Sequence, residues 1–375
     1  MELRVIRTEE AFDRIKPQWD EFLSTLDPVP LPLTHAWLLA WWHAFSENMR
    51  LEFRCAFKDG VLVGVAPLVR TSERYRGVPV TLLKLAANGH TPYSSVVVDS
   101  RLDDLDREEV FATLTGVTGT EIGVFFKIHQ NSELKRFLLD RSISGHERVG
   151  EKPSMHTPVI RVDRSWEDFY SSRPRKLKKS LNHKLNRFKK NPDFSISEEA
   201  ITAPDQPIVT DLVEVSANSW KSSVGNDLKS HHRSRQFLFN LIESFGPSGL
   251  LTAWIIRDSD RPVAFELHLN CDNVVYPIRA DFDEAYNFYS PGSVLEYTAL
   301  KRLFQRGDVE QYYTCADDYW YLSNWTSVYQ VFCTVEVFGD SWKLRWLYWL
   351  EYSVIPIVKR LLRKRGKKST THLTE

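Results

Sequence analysis

Residues 261–303 read RPVAFELHLNCDNVVYPIRADFDEAYNFYSPGSVLEYTALKRL, and their pattern of polar and apolar positions indicates the fold class. Apolar residues alternate over 262–270 and again over 273–280, which is typical of two β-strands. A polar loop follows. A helix is then predicted over 294–305, because its apolar residues recur at helical spacing, as Leu295, Ala299, Leu303 and Phe304. Two strands followed by a helix indicate an α/β domain.

The same arrangement occurs earlier in the chain. LTAWIIRDSDRPVAFELHL at 251–269 and FRCAFKDGVLVGVAPLVR at 53–70 both read as strand, polar turn and strand. Two helical segments precede each, and a further strand and a helix follow. This weak repeat of about 150 residues is too long for a solenoid and indicates a duplicated domain. A mixed α/β fold in two similar halves is therefore predicted.

Periodicity and turn residues predict the remaining elements. In the first half, helices are expected at 33–46, 107–114 and 132–140, and strands at 53–57, 61–69, 82–86, 95–98 and 123–128. In the second half, helices are expected at 166–190 (interrupted near Pro174), 208–222 and 233–245, and a strand at 250–256. The predicted domains are 1–155, 156–335 and a tail, 336–375.

Composition excludes several classes of protein. A length of 375 residues suits two domains, and 42% hydrophobic with 26% charged residues is ordinary for a globular protein. The net charge of zero gives no overall attraction to nucleic acid, so no DNA partner is expected. The four cysteines have no metal-ligand spacing. No secretory signal or membrane span is recognisable, so a cytoplasmic protein without a metal is expected.

Several segments resemble those of a known family. They are TPVIRVDRSWEDFYSSRPRKLKKSLNHKLNRFKK at 157–190, Ser219-Trp220-Lys221, and RPVAFELHL followed by VVYPIRADFDEAYNFYSPGSVLEYTALKRL. The first half matches more loosely, through Trp37, Trp41 and DGVLVGVAPL. Over about residues 30–330 the chain resembles the tandem-GNAT, CelD-like acetyltransferases associated with cellulose and exopolysaccharide synthesis, and more distantly the Fem peptidyltransferases.

This resemblance implies a fold and an activity. The fold would be two tandem GNAT (acyl-CoA N-acyltransferase) domains with mixed central sheets, plus an amphipathic helical tail. The activity would be transfer of an acyl group, acetyl above all, from acetyl-CoA or another thioester to an amine or hydroxyl. The acceptor would be a sugar, a glycan or a peptide, and no cofactor would stay permanently bound.

One segment departs from the family pattern. The family has yDfGxGdxxYKxxw where this chain has QYYTCADDYWYLSNW at 311–325. Tyr313 stands in place of the Asp and Leu322 in place of the Lys, whereas Tyr321 and Trp325 fit. The acidic and lysine roles of that motif are therefore not carried over.

A phosphate site is predicted where the helix at 294–305 begins. Ser290 suits an N-cap, Pro291 suits the first helical position, and Gly292 admits close backbone approach. Free amides at such a position bind phosphate, so Ser290, Gly292 and Ser293 are the candidate donor-binding residues. In GNAT proteins this place holds the pyrophosphate of coenzyme A. A well-capped helix without a ligand is the alternative.

Acyl transfer needs a base for the acceptor and an acid for the leaving thiolate. The candidate catalytic residues are Glu266, Asp281, Tyr289 and Tyr321, and the candidate acceptor-binding residues are Trp220, Lys221, His268 and Arg279. Glu266 and His268 alternate along one strand and should share a face. Pro277 suits an unpaired position or a bulge, as at the splay between GNAT strands. Ordinary solvated strand residues are the alternative.

Two basic segments leave other functions open. Residues 173–190 contain nine Lys and Arg, which read as a solvated helix or as a platform for phosphates, including those of tRNA. Residues 341–368 combine tryptophans with basic residues, which suits a membrane-surface helix or one docked on the protein. The alternatives to a CoA-dependent enzyme are a Fem-like, aminoacyl-tRNA-dependent transferase, with tRNA the less favoured partner, and a non-catalytic scaffold.

Overall fold

The computed structural model describes residues 1–143 and 147–360. The first half begins with a strand and two helices, continues through antiparallel strands, and closes with alternating helices and strands. Its elements are β1 (Glu2–Ile6), α1 (Glu9–Ser24), α2 (His35–Phe45), β2 (Met49–Lys58), β3 (Val61–Tyr75), β4 (Val78–Leu85), β5 (Val97–Val98), α3 (Asp104–Thr115), β6 (Glu121–His129), α4 (Glu133–Ile143) and β7 (Arg148–Arg161).

The second half repeats this order after two added helices. Its elements are α5 (Trp166–Ser171), α6 (Arg175–Phe188), β8 (Phe194–Ala200), α7 (Pro207–Ala217), α8 (His232–Phe245), β9 (Leu251–Asp258), β10 (Arg261–Cys271), β11 (Val274–Phe282), α9 (Pro291–Arg306), β12 (Gln311–Tyr313), β13 (Tyr329–Phe338) and α10 (Trp342–Trp349). Strand β8 corresponds to β1, and α9 corresponds to α3. The strands β9, β10 and β11 correspond to β2, β3 and β4, respectively. The duplication predicted from the hairpins is thus present in the described residues.

The two halves share one continuous sheet. Its strand order is β1-β2-β3-β4-β6-β13-β7-β12-β11-β10-β9-β8. Strand β7 pairs with β12 of the second half, and β13 pairs with β6 of the first, so each half completes the sheet of the other. The predicted boundary between residues 155 and 156 lies inside β7. The division of the chain at that point stays a prediction.

A common hydrophobic core joins the halves on one face of the sheet. It contains the buried faces of α1, α2, α7 and α8. The Trp37 and Phe237 rings lie 5.3 Å apart, and Asn240 donates to the Ala40 carbonyl at 3.1 Å. On the opposite face, α3 and α4 cover the first half, and α5, α6 and α9 cover the second. The cluster on the first face therefore stabilises the two halves against each other.

Two expectations about the elements were incomplete. The helix predicted over 208–222 ends at Ala217, because Ser219 caps a separate 3₁₀ turn, Trp220–Val224, by accepting from the Lys221 amide at 3.3 Å. Helix α1 was not predicted, since Pro17 and many charged residues obscure its pattern. Thr8 caps that helix, and its buried face packs on the shared core.

The C-terminal segment is docked on the protein as far as it is described. Leu344 and Leu347 pack against Val80, Leu82, Ile122 and Phe338. The Tyr352 ring lies where a side chain at position 150 would be, so Gly150 permits its close approach. The docked alternative therefore holds for this part of the tail. Residues 361–368 of the predicted basic tail lie outside the described residues.

Candidate active site

The sheet of the second half opens between two parallel strands. Strand β11 pairs with β12 only at Val274 with Gln311 and at Val275 with Tyr312, so within the described chain its later residues have no strand partner on that side. The register of β10 and β11 shifts between Leu267 and His268, opposite Pro277. Because proline donates no backbone hydrogen bond, it fits such a bulge. Pro277 is paired with His268 on the β10 side, and on the β12 side it lies beyond the two paired residues of β11, which agrees with the predicted unpaired position.

A buried carboxylate lies on the α9 face of this opening. Glu266 accepts a hydrogen bond from the Tyr312 hydroxyl at 2.5 Å and lies 2.6 Å from His268 Nε2. All three side chains are buried. Burial, followed by the nearby carboxylates Glu266 and Glu296, raises the pKa of Tyr312 well above its usual value, so this phenol stays protonated and can donate. The predicted shared face of Glu266 and His268 is confirmed.

Glu296 of α9 is a second carboxylate at the same place, and sequence reasoning missed it. Burial, reinforced by the charge of Glu266, raises the pKa of Glu296 to about 8, against a hydrogen bond from Trp325 and the charge of Lys184. A carboxyl group that titrates near neutral pH is suited to proton transfer. One signal was available, since Glu296 precedes Leu300 by four residues and Leu303 by seven, on an inward-facing stripe.

The start of α9 forms the outer end of this site. Ser290 is the N-cap, in the left-handed region at φ 54°, but its side chain caps no amide. The first turn contains no acidic residue, and Lys184 donates to the Ser293 hydroxyl at 2.8 Å. Gly292 is exposed, and a Cβ there would approach only Phe282, at 3.7 Å. Pro291 has no amide hydrogen, and the Ser293 and Val294 amides donate to the Ser290 carbonyl at 3.1 and 3.3 Å. The Gly292 amide, with Lys184 nearby, is therefore the group at this helix start that is suited to an anion.

The two candidate tyrosines lie in different places. The Tyr289 ring packs against Phe194 of the edge strand β8 at 4.9 Å, four strands from β12, so the structure does not bring Tyr289 to the carboxylates. Tyr321 lies near them. Tyr321 is partly exposed, and the partial loss of solvent around its ring, followed by the charge of Glu296, raises the pKa of Tyr321 to about 12. Of the two alternative acids, the structure therefore brings Tyr321 and not Tyr289 toward the carboxylates.

Asp281 lies on the opposite face of the sheet from Glu266. The register pairs Asp281 with Phe265, whereas Glu266 is paired with Ala280, and directly paired residues share a face. Asp281 is therefore across the sheet from the face that Glu266 and His268 share, and its catalytic role stays a prediction. The Asp281 side chain is fully buried and binds Lys221 at 2.5 Å and Arg279 at 2.8 Å.

Lys221 approaches the unpaired edge of β11. Its ammonium donates to the Ala280 carbonyl at 2.9 Å, from the side that β12 leaves open. Burial lowers the pKa of Lys221, and the charge of Asp281 opposes that effect. Arg279 is held by the Ser216 hydroxyl at 3.0 Å and the Asn226 carbonyl at 2.9 Å. Trp220, which directly precedes Lys221 in the chain, is exposed.

Replacing Asp281 with asparagine is expected to destabilise the fold. The substitution leaves Lys221 and Arg279 beside a neutral group in a buried setting, and breaking a buried ion pair costs about 3–5 kcal/mol. Urea denaturation should show this loss in the free energy of unfolding. The control is Asp260→Asn, which changes an exposed aspartate in a turn between strands. Equal stability of the Asp281 and Asp260 variants would contradict the prediction.

Comparison with known proteins relates this site to a family. Residues 175–321 match the model of the acetyltransferase (GNAT) domain. The matched segment contains the opening beside β11, the start of α9 and both carboxylates. No curated protein matches the chain in sequence.

Solved structures support the fold. FemX is similar at a TM-score of 0.55 and 9% identity, over 89% of this chain and 97% of that one. A conserved protein of unknown function from Bacteroides thetaiotaomicron VPI-5482 has a TM-score of 0.55 and 12% identity, over 90% and 100% of the two chains. L-PGS from Bacillus licheniformis has a TM-score of 0.50 and 10% identity, over 88% and 95%. The expected tandem GNAT fold is confirmed, because the first half repeats the element order of the GNAT domain.

Proposed function

We propose that the GNAT domain transfers an acyl group, acetyl above all, from a thioester to an amine or hydroxyl in polysaccharide or cell-envelope biosynthesis. One observation carries the proposal. The opening between β11 and β12 has the Lys221 ammonium on one face of the sheet and Glu266 with Glu296 on the other. A thioester in that opening would meet a cation and a titratable carboxyl group together.

Acetyl-CoA is the proposed donor. Its phosphates would bind at the start of α9, near Ser290, Gly292 and Ser293, where the Gly292 amide and the Lys184 ammonium could donate to them. Its pantetheine arm would follow the unpaired edge of β11 toward Ala280. The thioester carbonyl would then lie near Lys221, whose charge would stabilise the oxyanion of the tetrahedral intermediate.

The proposed reaction assigns a role to each flanking group. The acceptor nitrogen or oxygen attacks the thioester carbon and loses its proton to Glu296. The C–S bond then breaks, and the thiolate takes a proton from Tyr321, which solvent restores. Tyr312 and His268 hold Glu266, whose charge contributes to the raised pKa of Glu296. In this scheme Glu266 and Asp281 are positioning residues, and Tyr289 has no role.

Exposed aromatic side chains support a sugar, glycan or peptide acceptor. Tyr319, Trp320 and Tyr321 stand out from the loop after β12, and the rings of Tyr319 and Tyr321 are stacked at 5.8 Å. Trp220 is exposed next to Lys221. Aromatic faces combine a large apolar area with a polar edge, which suits the faces of sugar rings and peptide groups.

We propose that the second half alone is catalytic. In the first half, β4 and β6 stay paired from Thr81 to Lys84, and the Ser94 amide then donates to the Lys127 carbonyl at 3.0 Å. The chain itself therefore occupies that part of the sheet. Asp103 caps α3, and further acidic residues follow in its first turn. Negative charge at that helix start would repel a phosphate.

A second candidate function is aminoacyl transfer from charged tRNA, as in the Fem enzymes. One observation favours it, since Arg175, Lys176 and Lys179 of α6 are exposed and form no salt bridge within the described residues. Such a surface attracts phosphates without reading sequence. A non-catalytic scaffold would bind neither donor.

Replacing Gly292 with valine is expected to abolish most acetyl-CoA binding while leaving the fold intact. Space around Gly292 admits the new side chain, whose methyl groups would cover the amides at the start of α9. Calorimetry should show an affinity at least ~10-fold weaker, a difference of ~1.4 kcal/mol. The matched control is Gly119→Val, since Gly119 also has open space but lies in the first half.

The outcomes separate the candidate functions. Equal affinity of the Gly292 variant and the parent protein would place the donor site elsewhere. A parent protein that binds charged tRNA but not acetyl-CoA would support the second function. A parent protein that binds neither would support the scaffold.

A further inference from the structure

The C-terminal helical segment, defined here as residues 342–360, is anchored by its inner face. Helix α10 continues through a π-helical turn, Leu350–Val354, and the segment stays helical to residue 360. Leu344 and Leu347 are buried against the first-half sheet, and the Tyr352 hydroxyl donates to Glu336 at 2.8 Å. The inner face is therefore part of the protein core, and the orientation of the segment is set.

The outer face of the segment exposes large apolar side chains. Trp342, Trp346 and Trp349 are 82%, 48% and 55% exposed, and their spacing places them on one stripe. Ile357 and Val358 continue this surface toward residue 360, where they are 60% and 47% exposed. A tryptophan side chain usually buries a large apolar area, so three exposed tryptophans on one helix face indicate an interaction surface.

The unpaired charged residues named here beside the tryptophan stripe are basic. Lys359 and Arg360 are exposed at its end. Asp340, the exposed acid that precedes the segment in the chain, is paired with Arg345 at 2.8 Å and with Arg148 at 2.9 Å. Glu351 is buried on the inner face beside Lys152 at 3.1 Å. The sequence after residue 360 adds five Lys and Arg before its one acid, Glu375. A chain of zero net charge thus concentrates positive charge here.

We propose that the outer face of residues 342–360 binds the surface of an anionic lipid bilayer. Tryptophan side chains favour the boundary between headgroups and acyl chains, and basic residues are attracted to anionic headgroups. None of the helices in the described part of the chain is both long and apolar enough to cross a bilayer. The segment would therefore lie along the surface, with its inner face still on the sheet.

Vesicle co-sedimentation tests this proposal. The probes are phosphatidylcholine vesicles with and without phosphatidylglycerol. The test variant is Trp342→Ser, Trp346→Ser and Trp349→Ser combined, which leaves the inner face unchanged. Deleting α10 would instead uncover Val80 and Leu82. The control is Trp320→Ser, because Trp320 is similarly exposed but lies outside the segment.

The parent protein and the control are expected to sediment with the anionic vesicles, and less so as salt is added. The triple variant should partition at least ~10-fold more weakly, since binding scales with the apolar area inserted. If it does not fold, Lys359→Glu with Arg360→Glu provides the same comparison at exposed positions. Equal partitioning of variant and parent, or equal binding to neutral vesicles, would overturn the proposal. A dimer in light scattering that the triple variant abolishes, without vesicle binding, would assign the stripe to self-association.

Discussion

Replacing Glu296 with glutamine is expected to lower acyl-transfer turnover by about a hundredfold to ten-thousandfold, the range of general acid–base catalysis. Glutamine keeps the shape of the side chain and can still accept from Trp325, but it takes no proton. Turnover of the parent protein should rise as the pH passes through about 8, where Glu296 loses its proton. The variant should show no such rise. Steady-state kinetics over a range of pH would measure both effects.

The Glu266→Gln variant tests whether the pH dependence of turnover arises from Glu296. The charge of Glu266 raises the pKa of Glu296, so its removal should move the rise in turnover to lower pH. A purely structural role of Glu266 would not move the profile. Glu284→Gln is the control, because Glu284 is exposed beyond the end of β11. Full activity of Glu296→Gln at every pH would show that the reaction needs no base or that the base lies elsewhere.

The loss of the Glu296 proton, which is expected to raise turnover, is expected to lower the stability of the fold. The folded-state pKa of Glu296, about 8, exceeds the ordinary value of 4.5 for a glutamate, so the folded protein holds this proton more tightly. Its contribution to stability is therefore fully present below the ordinary pKa and is lost as the pH rises through about 8. The pH that favours turnover thus disfavours the fold, as is common where a carboxyl group is buried for catalysis.

Replacing Lys221 with methionine is expected to reduce turnover by about a hundredfold to a thousandfold, the effect of losing one oxyanion-stabilising group. Methionine preserves most of the length of the side chain and removes only the charge beside Ala280. The loss should fall on kcat more than on the affinity for acetyl-CoA, because the oxyanion exists only in the transition state. Kinetics combined with calorimetry would separate the two quantities.

Two measurements keep this result interpretable. Lys229→Met is the matched control, since Lys229 is exposed in the same connection between α7 and α8. Thermal denaturation of Lys221→Met would show whether the buried Asp281, left with Arg279 alone, weakens the fold. A well-folded Lys221→Met protein with normal kcat would exclude an oxyanion role for this lysine.

Local patterns in the sequence were sufficient to predict much of the fold. The hairpins, the helix that starts near Pro291 and the break near Pro174 all appear where periodicity and turn residues indicated them. These features depend on residues a few positions apart, because strand alternation, helix spacing and capping act over one or two turns. The pairing of Glu266 with His268 belongs to the same class, since two residues separated by one position on a strand share a face.

Long-range pairing decided the rest. The exchange of β7 and β13 between the halves, the register that places Asp281 and Glu266 on opposite faces, and the docking of α10 all join residues distant in sequence. The raised pKa of Glu296 likewise depends on burial and on Glu266, thirty positions away. The sequence by itself determined which elements form and which of their faces are apolar. Only the tertiary structure decided which polar groups meet, because hydrogen bonds, burial and charge depend on distances in space that no local pattern encodes.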